Sequence, residues 1–297
     1  MITNTLKPLT IAMLAVSTAG LSGCDSDSSS SGDEGTFSLA LTDAPTQQFN
    51  AVNITVTGVA LQPADGDRVS FEFDSPKNLD LLNYQNGDSV ALLENQRVPA
   101  GEYNWMRLKL DTDNLSVEDS EGEKTLFIPS GEQTGLKTSG FTVAQNSQTS
   151  YTIDFDASKS IVNPQGETPD NADYLLNPVL RLVNNLETGT ISGQVGSNLL
   201  SDCENDGGLV YVYTGAEATI GDLGSDNEPL SIATVETDSE TSDFVYTAAF
   251  LEEGDYTLSH TCDADDNEQD EDLAFSSGET VSVTAGETTE HNLSADQ

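Results

Sequence analysis

Residues 36–41 read Thr-Phe-Ser-Leu-Ala-Leu, and residues 52–59 read Val-Asn-Ile-Thr-Val-Thr-Gly-Val. In both, apolar side chains alternate with polar or small ones. A period of two places the apolar set on one face of an extended strand. Working outward, the pattern returns at Ser70–Phe73, Trp105–Leu110, Thr125–Ile128, Ser150–Phe155 and Tyr174–Val183, with Gly, Asp, Asn and Pro between the runs. About seven strands over roughly 150 residues suit two packed sheets. One short helix is expected, near Leu79–Leu82 or Val90–Leu93.

A boundary falls near Glu187. Beyond it the alternation resumes at Gly189–Val195, Leu209–Tyr213, Leu230–Val235, Phe244–Phe250, Tyr256–Cys262 and Glu279–Val283. This part has the size of one further sandwich. A short pattern recurs in both parts: Val98-Pro-Ala-Gly-Glu-Tyr103 and Leu251-Glu-Glu-Gly-Asp-Tyr256 each lead into a strand. Gly makes the turn and Tyr opens the strand with an apolar body and a polar tip. The expected fold is all-β, with two tandem antiparallel β-sandwiches at 36–186 and 187–297.

The N-terminus has a different character. Lys7 is followed by an uncharged, mostly apolar or small run from Leu9 to Leu21. That is short of the roughly 20 apolar residues a membrane span needs, and has the form of a secretory signal. The run ends in Leu21-Ser22-Gly23-Cys24, the lipobox pattern of bacterial lipoproteins. Residues 1–23 are thus expected to be removed and Cys24 to carry lipid. Residues 25–35, DSDSSSSGDEG, hold no apolar side chain and read as a flexible tether behind the lipidated cysteine. The body is then expected in the periplasm or at the cell surface. The sequence leaves the choice of inner or outer membrane open.

The whole chain carries 10 Lys and Arg against 51 Asp and Glu, a net −41. Without Lys7 the balance is 9 − 51 = −42. The nine remaining bases all lie between Arg68 and Arg181, and residues 187–297 hold none. Such a field repels phosphate backbones, so nucleic acid is not an expected partner. It also opposes anionic headgroups, which leaves lipid on Cys24 as the expected membrane contact. The composition suits a protein kept soluble in salt water, where charges are screened within about 10 Å; divalent-cation binding is the sharper reading.

With Cys24 assigned to lipid, Cys203 and Cys262 remain as a pair in an oxidising compartment. A bridge between them would close a loop of roughly 60 residues, worth about 4 kcal/mol by loop entropy.

Several stretches in order resemble the bacterial domain-of-unknown-function family 4382: SLALTDAP (38–45), FNAVNITVTGVALQP (49–63), DLLNYQNG (80–87), VPAGEYNWMRLKL (98–110), FIPSGEQTGLK (127–137) and YTIDFDASKSIV (151–162). The resemblance covers residues 36 to about 183. It implies a lipoprotein setting and no particular activity, so it assigns no catalytic residue. The second part is similar to carboxypeptidase regulatory-like, transthyretin-type sandwiches through GTISGQV (189–195), the Gly254-Asp255-Tyr256 turn and Val281–Gly286. That resemblance implies a structural or ligand-binding unit.

Chemistry is sparse. There are two histidines, and no G-x-S-x-G, H-E-x-x-H or P-loop pattern. Period two puts Tyr256, Leu258, His260 and Cys262 on one face, so His260 is expected beside the disulfide; His291 is expected at the surface. The chain is therefore read as a non-enzymatic envelope protein with a structural, adhesive or partner-binding role and an envelope-protein or carbohydrate partner; a carbohydrate-binding module, with or without calcium, is the alternative, and a hydrolase the third reading. Three candidate sites follow. The first is the acidic run Asp263–Asp272, in which Asp263, Asp265, Asp266, Asn267 and Asp270 could hold Ca2+. Glu268 and Ala274 stand where an EF-hand needs Gly and Glu, so the run is not an EF-hand, and a solvated loop is the plain alternative. The second is Trp105, the sole Trp, with Arg107 and Lys109 on one strand face, where an exposed aromatic with cations could meet a sugar or a partner; simple packing is the alternative. The third is the polar loop Ser130–Lys137, either a binding loop or a shaped turn.

Overall fold

The computed structural model describes residues 34–129, 135–166, 168, 172–201, 203 and 207–294. The signal segment, Cys24 and 25–33 of the tether lie outside the described residues, as does 130–134 of the polar loop; Glu34 and Gly35, read in sequence as the end of the tether, instead open the first strand, where they pair with Pro99 and Val98.

The alternation at 52–59 does become a strand, but with a slip. Val52, Ile54 and Val56 are buried, and so are Val59 and Leu61, one residue out of phase. Pairing with both neighbouring strands shifts between Val56 and Gly58. A β-bulge thus re-aims the second half of the strand, so both halves bury their apolar residues despite the change of phase. Gly58 is required there, because a Cβ would sit 2.3 Å from the Phe71 carbonyl oxygen.

The first part is built from β1 (Glu34–Ala44), β2 (Ala51–Pro63), β3 (Val69–Asp80), β4 (Val90–Pro99), β5 (Gly101–Leu110), β6 (Ser116–Asp119), β7 (Gly122–Phe127), β8 (Leu136–Lys137), β9 (Phe141–Val143), β10 (Gln148–Asp156), β11 (Ile161–Val162), β12 (Tyr174–Leu176) and β13 (Leu180–Asn184). One sheet runs β13-β10-β1-β4. The other runs β11-β12-β7-β6-β2-β5-β8, with β3 also on β2 and β9 also on β5. Phe37, Leu39, Leu41, Ile153 and Phe155 from the first sheet meet Ile54, Val59, Met106 and Leu108 from the second in one core.

The second part comprises β14 (Thr188–Gln194), β15 (Leu209–Thr214), β16 (Ser231–Thr234), β17 (Glu236–Thr237), β18 (Phe244–Glu252), β19 (Gly254–Thr261), β20 (Glu279–Val283) and β21 (Thr288–Glu290). Its sheets are β17-β18-β14-β21 and β16-β15-β19-β20. Ile191, Val210, Val212, Tyr246, Leu258 and Val283 fill the space between them. β15 is buried on both faces: its other side carries Leu209, Tyr211 and Tyr213, packed with Leu223 and Ile232 and covered by Ile220 and Phe275.

The fold is all-β sandwich, with most neighbours antiparallel. Among the described strands three pairs are parallel: β1 with β10, β7 with β12, and β14 with β21. Parallel pairing needs a long crossover, and strands far apart in the chain supply it. Short local hairpins cannot, so the period-two pattern carried no sign of it.

The expected helix corresponds to a single 3-10 turn, Leu81–Asn83, capped by Asp80, whose Oδ1 accepts from Leu82 N at 3.2 Å. Val90–Leu93 belongs to β4, where Leu92 and Leu93 are buried. A four-residue helix at Ala157–Ser160, capped by Asp156, was not anticipated. Such short pieces are set by a cap rather than by a 3.6-residue period.

The two cores belong to one compact unit. Side chains from each part reach backbone of the other across the seam. Lys159 Nζ donates to Pro229 O at 2.8 Å and pairs with Glu228 at 3.0 Å. Arg181 Nη1 donates to Phe250 O at 2.9 Å, and Asn86 Oδ1 accepts from Thr234 N at 3.1 Å.

Candidate functional site

Along β5, Met106 and Leu108 are wholly buried. Alternation turns Trp105, Arg107 and Lys109 to the opposite face, where each is half-buried. Arg107 stands opposite Lys137 of β8, and Trp105 opposite Gln62 of β2. Arg68, on the turn between β2 and β3, completes a group around the ring. The guanidinium carbons of Arg107 and Arg68 lie 4.7 and 5.1 Å from the Trp105 centroid, and Lys137 Nζ lies 5.4 Å from it. The negative face of the indole attracts such cations. Burial, and then the neighbouring Arg68 charge, lower the pKa of Arg107.

Lys109 is not part of this group; its ammonium pairs with Glu72 of β3. Arg68 escaped the sequence reading, and Lys137 stood there only as the end of a separate candidate loop, because both come from other segments. Gly135 seats the second of these. Its φ is +53°, and a Cβ there would lie 2.2 Å from Leu108 O, so glycine lets the chain lie against β5 and bring Lys137 to the ring. The described part of the polar loop, Gly135–Lys137, therefore serves the Trp105 group.

The acidic run turns its side chains to separate partners. Asp263 Oδ2 accepts from Ala274 N at 2.6 Å. Asp265 is buried, and its Oδ2 takes Tyr211 Oη at 2.5 Å and Leu223 N at 2.9 Å. Asp266 Oδ1 accepts from Glu268 N at 3.0 Å, and its Oδ2 from Gln269 Nε2. Asp270 is exposed. Asn267 reaches across the seam: its Nδ2 donates to Ser158 O and, at 3.3 Å, to Ile161 O, while its Oδ1 accepts from Gln48 at 3.3 Å. Beside it, Glu268 accepts from Asn163 N at 2.8 Å and Nδ2 at 2.9 Å. The run caps the outer face of β15 and fastens the second sandwich to the first.

Cys203 and Cys262 form a disulfide with Cα atoms 4.8 Å apart, which pins the start of the run. A ring nitrogen of the buried His260 lies within 4.8 Å of both sulfurs. Its Nε2 is 2.8 Å from Gly207 O, and burial lowers its pKa. His291, expected at the surface, is instead half-buried, its Nε2 2.9 Å from Glu279 Oε2, because β21 returns beside β14. A cleft of about 500 Å3 opens along the seam, lined by Asn86, Asn185, Thr188, Thr247, Phe250 and Glu287 among others.

The turn pattern shared by the two parts has a common hydrogen bond. Tyr103 Oη donates to Pro99 O and Tyr256 Oη to Glu252 O, each at 2.7 Å and four residues back.

These features define a two-sandwich, all-β protein with a cation-flanked tryptophan on the outside of its larger sheet. Residues 34–178 match the protein-family model described as "Domain of unknown function (DUF4382)". A comparison with the curated proteins found no match. Among solved structures, the TIE protein of Bacillus anthracis aligns at 10% identity and TM-score 0.21, over 89% of this chain and 34% of that one. This chain thus spans about a third of that protein's length. The minor pilin of Streptococcus agalactiae aligns at 9% and 0.20, over 86% and 94%. The major pilin subunit of Bacillus cereus aligns at 12% and 0.21, over 89% and 100%. Likenesses at these scores carry no weight for function.

Proposed function

We propose that this protein is a lipid-anchored component of the bacterial cell envelope with a non-enzymatic structural, adhesive or partner-binding role. The observation that carries the reading is the seam. Asn267, Glu268, Lys159, Arg181 and Asn86 make the two sandwiches one body rather than two beads on a string. A body joined in this way, behind the polar stretch 25–33 and a lipidated Cys24, holds the Trp105 face out from the membrane in a fixed relation to the second sandwich. Acyl chains contribute roughly 0.8 kcal/mol per buried methylene, so several chains make a lasting anchor. The acidic body contributes solubility and no headgroup attraction.

The test is fractionation of cells expressing the full chain or Cys24→Ala, with labelled palmitate. The wild-type chain should take up label and stay with the membrane through a high-salt wash. The variant should lose both label and membrane association. A variant that stayed with the membrane would overturn the anchor.

A further inference from the structure

We propose that the group formed by Arg68, Arg107 and Lys137 around Trp105 is a binding site for an acidic polysaccharide, one whose sugars carry carboxylates or sulfates. The proposal rests on the envelope reading above and names the ligand class of its exposed face.

The distribution of bases carries the argument. Nine of the ten Lys and Arg lie between residues 68 and 181. Three of these, Arg68, Arg107 and Lys137, drawn from a turn and two strands, converge on one indole within 5.4 Å. Two of them, Arg68 and Lys137, are exposed. Like charges brought together repel. The ring offsets that repulsion, because its negative face attracts each cation. What results is a compact positive spot on a strongly negative molecule. Screening confines the field of distant acids to about 10 Å or less in physiological salt, so an anion against the ring meets first the exposed Arg68 and Lys137. Guanidinium groups present paired donors suited to carboxylate and sulfate oxygens.

Geometry favours a glycan strand over an acidic protein. A stable protein interface covers roughly 800 Å2 per partner, and the turn that carries Arg68 also carries the exposed acids Asp65 and Asp67, while exposed Glu72 stands on the neighbouring strand, paired with Lys109. A protein of negative charge would have to cover these. A single polysaccharide strand can touch the cations and pass the acids by.

Trp105 is the sole tryptophan, so its fluorescence reports the site directly. The mature lipidated chain in neutral detergent is titrated with polygalacturonate, dextran sulfate, neutral dextran and poly-glutamate. At least one acidic polysaccharide should give a saturable change, weakening as salt is raised, with dextran at least about tenfold weaker. The double variant Arg68→Ala/Lys137→Ala changes two exposed side chains. It should keep its melting temperature and bind about tenfold or more weakly, whereas Lys124→Ala should bind as the parent does. No saturable change with either acidic polysaccharide, equal response to dextran, or full affinity in the double variant would overturn the site. Tighter binding to poly-glutamate than to both would overturn the glycan in favour of an acidic protein. Each of these failures leaves the membrane fractionation of the same chain unaltered, so the envelope reading is judged separately.

Discussion

Tyr211 donates its hydroxyl to Asp265 Oδ2 over 2.5 Å, and both residues are buried beneath the acidic loop. The bond ties a core strand to a loop that reads, in sequence, as solvent-facing. The same oxygen takes Leu223 N, so the core strand and a second covering segment share one acceptor on the loop. Tyr211→Phe should remove one bond and leave a buried acid less satisfied, costing about 1–3 kcal/mol. Urea denaturation of the variant against the parent checks this. A change within error would mean that the loop is held by its other contacts alone.

Three buried carboxyls give stability a dependence on pH. Burial raises the pKa of Asp43, Asp156 and Asp265 above the ordinary carboxyl value of 3.8. A folded-state pKa above the unfolded one means that the folded chain binds more protons in between. The associated stability is therefore full below about 3.8 and is lost as pH rises through the raised folded values. Easing of the self-repulsion of a −41 chain acts in the same direction. His260, whose pKa burial lowers, acts the other way below about 6.5, so the acids are read by difference. As pH falls, the Asp43→Asn variant should gain less melting temperature than the parent; an equal or larger gain would contradict the assignment.

The disulfide fixes the start of the docking loop and spans a sequence separation of 59. Reduction, or the paired change Cys203→Ser/Cys262→Ser, should lower stability by about 2–4 kcal/mol. Thermal melts of the oxidised chain with and without reductant read this directly, and coincident curves would speak against a stabilising bridge.

Calcium is expected to change little. Asp263, Asp265 and Asp266 already accept hydrogen bonds from separate donors, and Asn267 is engaged across the seam. Melts in millimolar calcium and in chelator should coincide. A large upward shift with calcium would restore the loop as a cation site.

The paired tyrosines offer a comparison within one chain. Tyr103→Phe and Tyr256→Phe each remove a 2.7 Å bond to the carbonyl four residues back. Each should cost about 1 kcal/mol. Denaturant midpoints of the two variants check whether the turns are equivalent in energy as well as in geometry.

The sequence by itself determined that the body is of the all-β class, because period two is a local property: Thr36–Leu41 and Met106–Leu110 place their alternate apolar residues on one face whatever they pack against. It also determined the Cys203–Cys262 pairing and the recurrence at Tyr103 and Tyr256. Tertiary structure alone decided the rest. The slip at Thr57-Gly58 has meaning only beside Phe71. The acidic run looks like solvent until Tyr211, Ser158 and Asn163 are set against it. The cations on Trp105 come from positions 68, 107 and 137, which no local window joins. In each case the deciding energy is a contact between segments distant along the chain, and composition and spacing carry no record of such contacts.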